Sequence, residues 1–432
     1  MDETIRHHNP NPLLKANWVS KLFFWWLNPF FAKGYKRNLS TDDMYNVVPE
    51  DSSQQLCQRL ESEWEKEIVK LRNGGKPSLV WALVRTFGKK YFLLGLIVLC
   101  EESTKVVQPL LLGGLIRYFT PSSTVSQRDA YLYAMGLSLC SITLAILHHP
   151  YFFGVQRIGM QIRVACCSLL YKKALRLSNK ALGETTTGQI VNLMSNDVNR
   201  FDQACLFLHF LWVGPLQAIA VLIILWHELG PACLAGFGVL LLLIPVQGWM
   251  GRMFSKLRQK TAKFTDERVR LMNEIITGMR VIKMYCWEKP FGKLVQKVRR
   301  LEMKYIHTKL RCGSGLSVAM TFGGKSYFLA ACLVVVFGLG RPVLAEWAFV
   351  CIRFFELLQL TFGKYIMSAI YWLAETKISV QRLLTFLSLE ELEESASLKK
   401  SSNRPPPSEC GVTISNFTAK WDKNVEQNTL ED

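Results

Sequence analysis

Apolar residues in this chain run in long stretches rather than in the short alternation of an exposed sheet. From Phe201 to Gly251 there is no Lys or Arg, and the only acids are Asp202 and Glu228. A helix needs about 20 apolar residues to cross a bilayer, so this run is long enough for two crossings. Trp226-His-Glu-Leu-Gly-Pro231 interrupts it with polar residues and a Gly-Pro turn signal. The pattern predicts a helical hairpin, spans 205–226 and 229–249, with both ends on one side of a membrane. A buried core hairpin would carry the same run, but each arm here has the full length of a membrane helix. The same reading predicts spans 91–118 and 130–153 around Thr120-Pro-Ser-Ser123, and spans 313–338 and 343–372 around Gly338-Leu-Gly-Arg-Pro342. Six spans place both termini on one side.

Composition agrees and charge supplies the orientation. Half of the 432 residues are hydrophobic and only 20% are charged, which excludes a disordered chain. A net charge of +18 points to nucleic acid or to a membrane surface until its distribution is read. Of the 52 Lys+Arg, 45 lie in residues 1–90, 155–204, 249–312 and 373–432, two lie in the short loops opposite, and five lie inside spans. Lys/Arg excess marks the cytosolic face, so both termini and both long loops are predicted to be cytosolic, with no nucleic-acid partner. The polar residues 1–8 give no signal peptide. None of the 12 cysteines falls in a short external loop and none forms Cys-x-x-Cys, so neither a disulfide framework nor a metal site is predicted.

The segments between the spans have features of their own. Ser20–Phe31 is short, aromatic and flanked by Lys21, Lys33, Lys36 and Arg37. It predicts a helix at about 20–33 lying in the interface, with Ser20 as N-cap and Pro29 as a kink or end. Gly159–Asn179 and Met253–Glu274 carry apolar residues at helical spacing under basic ones, predicting that membrane helices run on into the cytosol. Each projection can reverse at one weak point, Gly183–Gln189 in the first and the stretch around Thr277–Arg280 in the second. Residues 386–410, with Arg404-Pro-Pro-Pro-Ser408, read as linker, and Val412–Phe417 alternates like a strand.

Particular motifs resemble the multidrug-resistance-associated proteins, subfamily C of the ATP-binding-cassette exporters. They are Phe23-Phe-Trp-Trp-Leu-Asn-Pro29, Lys173-Ala-Leu-Arg-Leu-Ser178, Thr187-Gly-Gln-Ile-Val-Asn192, Ser195-Asn-Asp-Val198, Asn273–Lys283 and Tyr285-Cys-Trp-Glu288. The resemblance implies an all-α membrane protein: a type 1 exporter domain of six helices (91–385) with long cytosolic extensions and an N-terminal interfacial elbow in residues 1–90. It implies ATP-driven export of amphipathic organic anions and drugs across the plasma membrane, shared with a second transmembrane half and two nucleotide-binding domains. Thr185, Thr186, Thr187, Gly188 and Gln189 match the first coupling turn onto those domains, and Ile276, Gly278, Met279 and Arg280 match the second. The blander reading is that these turns only close hairpins. Residues 411–432 match the start of a nucleotide-binding domain, with Trp421 at the position that stacks on adenine. The chain departs from the family by lacking a phosphate loop. Gly324-Lys325-Ser326 has Ala319 where the first glycine belongs and lies in a predicted span. No catalytic residue and no cofactor are therefore expected in this chain alone, while ATP and Mg are expected in the full-length protein. The chain reads as the first transmembrane half, fragment or truncated product. The alternative is a non-transporting isoform or an interaction module pairing with other membrane subunits.

Ionisable groups inside spans are costly unless paired or facing a cavity, which makes each a candidate for the transport path. They are Glu102, Lys105, His149, Lys325, Arg353 and Lys364, joined by Phe152, Trp212 and Phe322 as apolar cavity surface. Glu101 and Lys105 at i, i+4 and Arg353 and Glu356 at i, i+3 could instead neutralise each other. Either of His148 and His149 could cap a helix or be a buried, hydrogen-bonded side chain. Lys325 and Lys364 have no local acid, so they are the leading positions for holding an anion. Gln359 stands roughly where a close relative in the family has an arginine, and here Arg353 lies earlier.

Overall fold

The computed structural model describes residues 9–120, 125–178, 183, 185–340, 342 and 344–391, with the backbone of 418–419 and 430–431. The chain opens with two short helices, α1 (Trp18–Leu22) and α2 (Asn28–Lys36), followed by α3 (Ser53–Arg72). Four long rods make the body: α4 (Leu79–Tyr118), α5 (Gln127–Leu175), α9 (Cys233–Thr277) and α11 (Glu288–Leu333). Between them lie α6 (Thr187–Asn192), α7 (Arg200–Phe207), α8 (Phe210–Leu229) and α10 (Met279–Met284), and the fold closes with α12 (Ala345–Leu360) and α13 (Met367–Leu387). The rods have 40, 49, 45 and 46 residues. At 1.5 Å per residue each is roughly twice as long as a bilayer core is thick.

Two helical stretches among the described residues, Gln127–Leu175 and Thr187–Thr277, are long and apolar enough to cross a membrane. Their most apolar windows have mean hydropathy 1.8 and 2.2, yet only 6% and 29% of those windows are buried within the chain. An apolar surface left this open needs lipid or other helices around it. Leu132, Met135, Leu139 and Ile142 on α5 are all more than half exposed, and their 3–4-residue spacing puts them on one face. The hairpin break falls at the Gly-Pro pair. Gly230 takes φ +63°, a conformation that favours glycine, and a 3-10 turn over Gly230–Ala232 starts α9.

The core has two parts. One packs α3, α4, α5, α7 and α13 around Trp64, Phe87, Tyr151, Val155, Leu170 and Phe201. The other packs α8, α9, α11 and α12 around Leu225, Cys233, Tyr327, Phe354 and Phe355. Gly159 permits the closest crossing in the first part, because a Cβ there would lie 2.9 Å from the backbone of Asp202.

Several boundaries differ from the sequence reading. Ser20 lies inside α1, and Asn17 precedes that helix. Pro29 stands in the first turn of α2, where its missing N–H costs nothing, so it starts a helix rather than ending one. The break falls earlier, at Phe24 with φ +57°. The segment expected to be one interfacial helix is thus two helices joined by a 3-10 turn. Helix α12 continues through a π-helical turn (Thr361–Ile366) into α13, so residues to Leu387 are helix and not linker. Residues beyond it pack on α5: Lys173 Nζ donates to Leu389 O at 2.5 Å and pairs with Glu391 at 2.9 Å. The remaining linker, the strand expected at 412–417 and Trp421 lie outside the described residues. Two short strands, β1 (Thr418–Ala419) and β2 (Leu430–Glu431), pair antiparallel.

Candidate functional site

A charged cluster lies inside the bundle where four elements meet. Glu101 and Glu102, near the middle of α4, are 1% and 3% exposed. Lys105, one turn on, reaches both, at 2.8 Å to Glu101 and 2.7 Å to Glu102. His148 of α5 places Nδ1 2.9 Å from Glu101. On the other side, the buried Gln217 of α8 donates Nε2–H to Glu102 at 2.6 Å and accepts from Thr361 Oγ1 at 2.7 Å. Thr361 opens the π-helical turn between α12 and α13, whose extra residue re-aims the side chains there. Gly214 lets α8 approach this turn, since a Cβ there would lie 2.7 Å from Ile366. Two carboxylates and one ammonium are thus held between α4, α5, α8 and the turn that joins α12 to α13.

Beside this cluster lies a patch of polar groups without protein partners. The second oxygen of Glu101, the hydroxyl of Tyr151 and both ring nitrogens of His209 are buried and have no hydrogen-bond partner among the described residues. His209 stacks on Tyr91 with ring centres 3.9 Å apart, and Tyr91 donates its hydroxyl to Cys205 O at 2.6 Å.

The sequence candidates fall around this centre unevenly. Glu102 and Lys105 belong to it. His149 points outward, and its neighbour His148 makes the contact. Phe152 packs on His148 with ring centres 4.6 Å apart. Trp212 is partly exposed and lies edge-on to His209 at 6.4 Å. Arg353 pairs with Glu356 at 3.1 Å. Lys105, Gln108, Arg353 and Glu356 share the wall of one recess of about 520 Å³ between α4, α5 and α12. Gln359 is half-buried, and Lys364 is exposed with its Nζ 6.0 Å from the Tyr365 ring. Lys325 is exposed on α11, outside the recess; Phe322 lies on the same helix, and its side chain is outside the described residues. Gln217 and Thr361 were not among the candidates. Their signal was available, as each is a polar side chain in an apolar span that needs an internal partner.

The two turns lie at the ends of the helical projections. Thr186 caps α6: its Oγ1 accepts from Gln189 N at 3.2 Å, and Gln189 Oε1 accepts from Thr186 N at 3.3 Å. This reciprocal capping box fixes a six-residue helix that is otherwise too short to persist. Thr185, Thr187, Gly188 and Gln189 are all exposed or half-exposed. Behind α6, the buried Asp197 accepts from Ser379 at 3.0 Å and Arg382 at 3.1 Å, tying the turn to α13. In the second projection α9 ends at Thr277, and Gly278 separates it from α10. The reversal completes at Cys286, with φ +54°, where Tyr285 stacks on Trp287 at 5.0 Å. Ile276 and Met279 are 58% and 50% exposed at the tip, with Arg280 exposed beside them.

Thr186→Ala removes the acceptor of that cap and should cost the turn about 1 kcal/mol. The expected readout is amide exchange at Gln189 and Ile190 faster by roughly five- to tenfold, with global unfolding unmoved. Unchanged exchange would show that α6 is held by its packing instead.

Rods twice a bilayer's thickness, an uncovered apolar belt, buried ion pairs at mid-bundle and solvent-facing turns at one end define a helical membrane domain of the exporter type. The family model described as the ABC transporter transmembrane region matches residues 91–362, and the chain belongs to that family. It is 47% identical over 426 residues to human "ATP-binding cassette sub-family C member 4" and 47% identical over 428 residues to the mouse protein of that name. It is 34% identical over 434 residues to the Drosophila melanogaster "Probable multidrug resistance-associated protein lethal(2)03659". These alignments cover 97–98% of the chain but only 31–32% of the relatives, so the chain spans about a third of their length.

Proposed function

We propose that this chain is the first transmembrane half of an ATP-driven exporter of amphipathic organic anions in the plasma membrane. Its six spans are those read from the sequence, both termini face the cytosol, and α1–α2 form an elbow in the interface. Nucleotide-binding domains holding ATP and Mg dock on α6 and α10, and their closure rocks the rods by way of the Asp197 tie to α13. The observation that carries this reading is the pair of turns, each offering exposed side chains at the far end of a helical projection. A turn that only closes a hairpin needs no apolar tip such as Ile276 and Met279.

The anion would be held by a cation with no acid of its own among the described residues. Lys105 and Arg353 have carboxylates of their own, whereas Lys364 has no carboxylate within ion-pair distance among the described residues. In inside-out vesicles carrying the chain joined to its second half and nucleotide domains, Lys364→Ala should raise the KM for a fluorescent organic anion about tenfold, roughly 1.4 kcal/mol. Lys364→Arg should retain uptake. Unchanged uptake in both Lys325→Ala and Lys364→Ala would overturn the anion reading.

A further inference from the structure

The second projection is unusually basic where, in the proposed topology, it leaves the membrane, and its charges at that level meet no carboxylate among the described residues. Taking the spans proposed above, Arg252, Lys256 and Arg258 on α9 and Lys304, Lys309 and Arg311 on α11 lie within about 14 Å of the bilayer edge at 1.5 Å per residue. The two helices run antiparallel at matching heights: Lys309 sits over Phe254 at 5.4 Å, Lys260 over Tyr305 at 5.7 Å, and Phe264 stacks on Tyr305 at 5.2 Å. Residues 250–265 and 303–312 contain no Asp or Glu. All six cations except the half-buried Lys309 are exposed, and no ion pair involves any of them among the described residues. Trp249, 60% exposed, stands at the boundary, as an aromatic side chain at headgroup depth does.

The first projection shows what the chain does with such charges when it uses them itself. There Arg157 pairs with Asp51 at 3.0 Å, Arg163 with Asp202 at 2.9 Å, Lys172 with Glu61 at 2.6 Å and Lys173 with Glu391 at 2.9 Å. An inward excess of Lys and Arg suffices to orient a membrane protein, but it does not require carboxylates to be excluded at one level of one helix pair. Six cations on two adjacent helices just outside the hydrocarbon, with no carboxylate partner among the described residues, ask for an anion at that depth.

We infer that this collar is a binding surface for anionic phospholipid headgroups of the cytosolic leaflet. The headgroups supply the missing negative charge at the depth where the cations stand, and Trp249 and the apolar stems of the lysines lie against the acyl boundary. Bound lipid would clamp α9 to α11 below the second turn, so leaflet composition would set how firmly that projection is held. The inference rests on the proposed spans.

The test uses the full 432-residue chain, delipidated in neutral detergent and titrated with fluorescent phosphatidylserine or phosphatidylcholine. Phosphatidylserine should bind at least tenfold tighter, and its binding should weaken as salt rises. The triple variant Arg252→Gln, Lys256→Gln, Arg311→Gln should lose about 100-fold in affinity for it, given the usual worth of each juxtamembrane charge. Lys289→Gln, Lys293→Gln, Lys297→Gln removes the same charge further into the cytosol and should change binding less than threefold. Equal binding of the two lipids by the unmodified chain would overturn the inference, and so would equal losses in the two triple variants. Tryptic cleavage after Arg258 in permeabilised but not intact cells checks the topology separately. A failed lipid arm with that cleavage intact would sink the lipid site and leave the proposed spans standing.

Discussion

Replacing Lys105 by Met should destabilise the bundle by about 3–5 kcal/mol, the usual cost of stripping one partner from a buried ion pair. The cost is high here because Lys105 is the only ammonium serving two carboxylates that are almost wholly buried. Without it, Glu101 retains His148 and Glu102 retains Gln217, so each keeps a hydrogen bond but the pair has lost its counter-charge. Neutralising the acids should therefore repair the damage. Lys105→Met with Glu102→Gln should recover about half of the loss, and adding Glu101→Gln should bring stability within about 1–2 kcal/mol of the parent, since a neutral network of similar shape has no charge to bury. Thermal unfolding in detergent, followed by helicity, reads all four proteins. A single variant within 0.5 kcal/mol of the parent would mean that water already screens the cluster.

This cluster also shows how far sequence can be read. The contact from Glu101 to Lys105 is four residues long on one helix, so spacing was enough to find it. The contact from Gln217 to Glu102 spans 115 residues, and only the packing of α8 on α4 determines it. Likewise no local rule separates His148 from His149, because the choice depends on the rotation of α5 against α4. The Gly230-Pro231 break and the capped turn at Thr186 were legible because backbone conformation and capping are local. Helix α3 was missed although Leu56, Leu60, Trp64 and Ile68 recur every fourth residue and the first three are buried. Its polar majority disguised it beside spans that are apolar all round. Its anchors are mainly charged and distant, such as Glu61 to Lys172 and Glu67 to Arg85 at 2.9 Å. Leu389 and Glu391, at the start of the stretch read as linker, bond Lys173 of a helix more than two hundred residues earlier, a contact that no local pattern announces.

The second large effect concerns the clasp that joins α9 to α11 in the second projection. Glu302 is 2% exposed, and it accepts from Thr265 at 2.7 Å, Arg268 at 2.9 Å and Arg299 at 2.6 Å. Burial pushes its carboxyl upward, but hydrogen bonds from Arg299, Thr265 and Arg268 and the nearby charge of Arg268 outweigh that and hold it at about 2. A carboxyl held below its unfolded value stabilises the fold above about pH 4.5, and that contribution is lost as pH falls from there towards 2. The shift would be worth about 3 kcal/mol at full strength, and solvent close to a two-helix pair reduces this to roughly 2. The sign is opposite for a clasp held by an imidazole, which would weaken as pH rises. Hydrogen exchange along α9 and α11 between pH 6 and pH 2.5, corrected for intrinsic rates, should show the two helices loosening together below pH 4.5. Glu302→Gln should be looser already at pH 6 and should lose most of that pH dependence. Glu302→Ala should be worse still, at about 3–5 kcal/mol, because Arg268 and Arg299 would be left without their acid. A parent and a Glu302→Gln variant with parallel pH profiles would show that the acid sensitivity of this pair arises elsewhere.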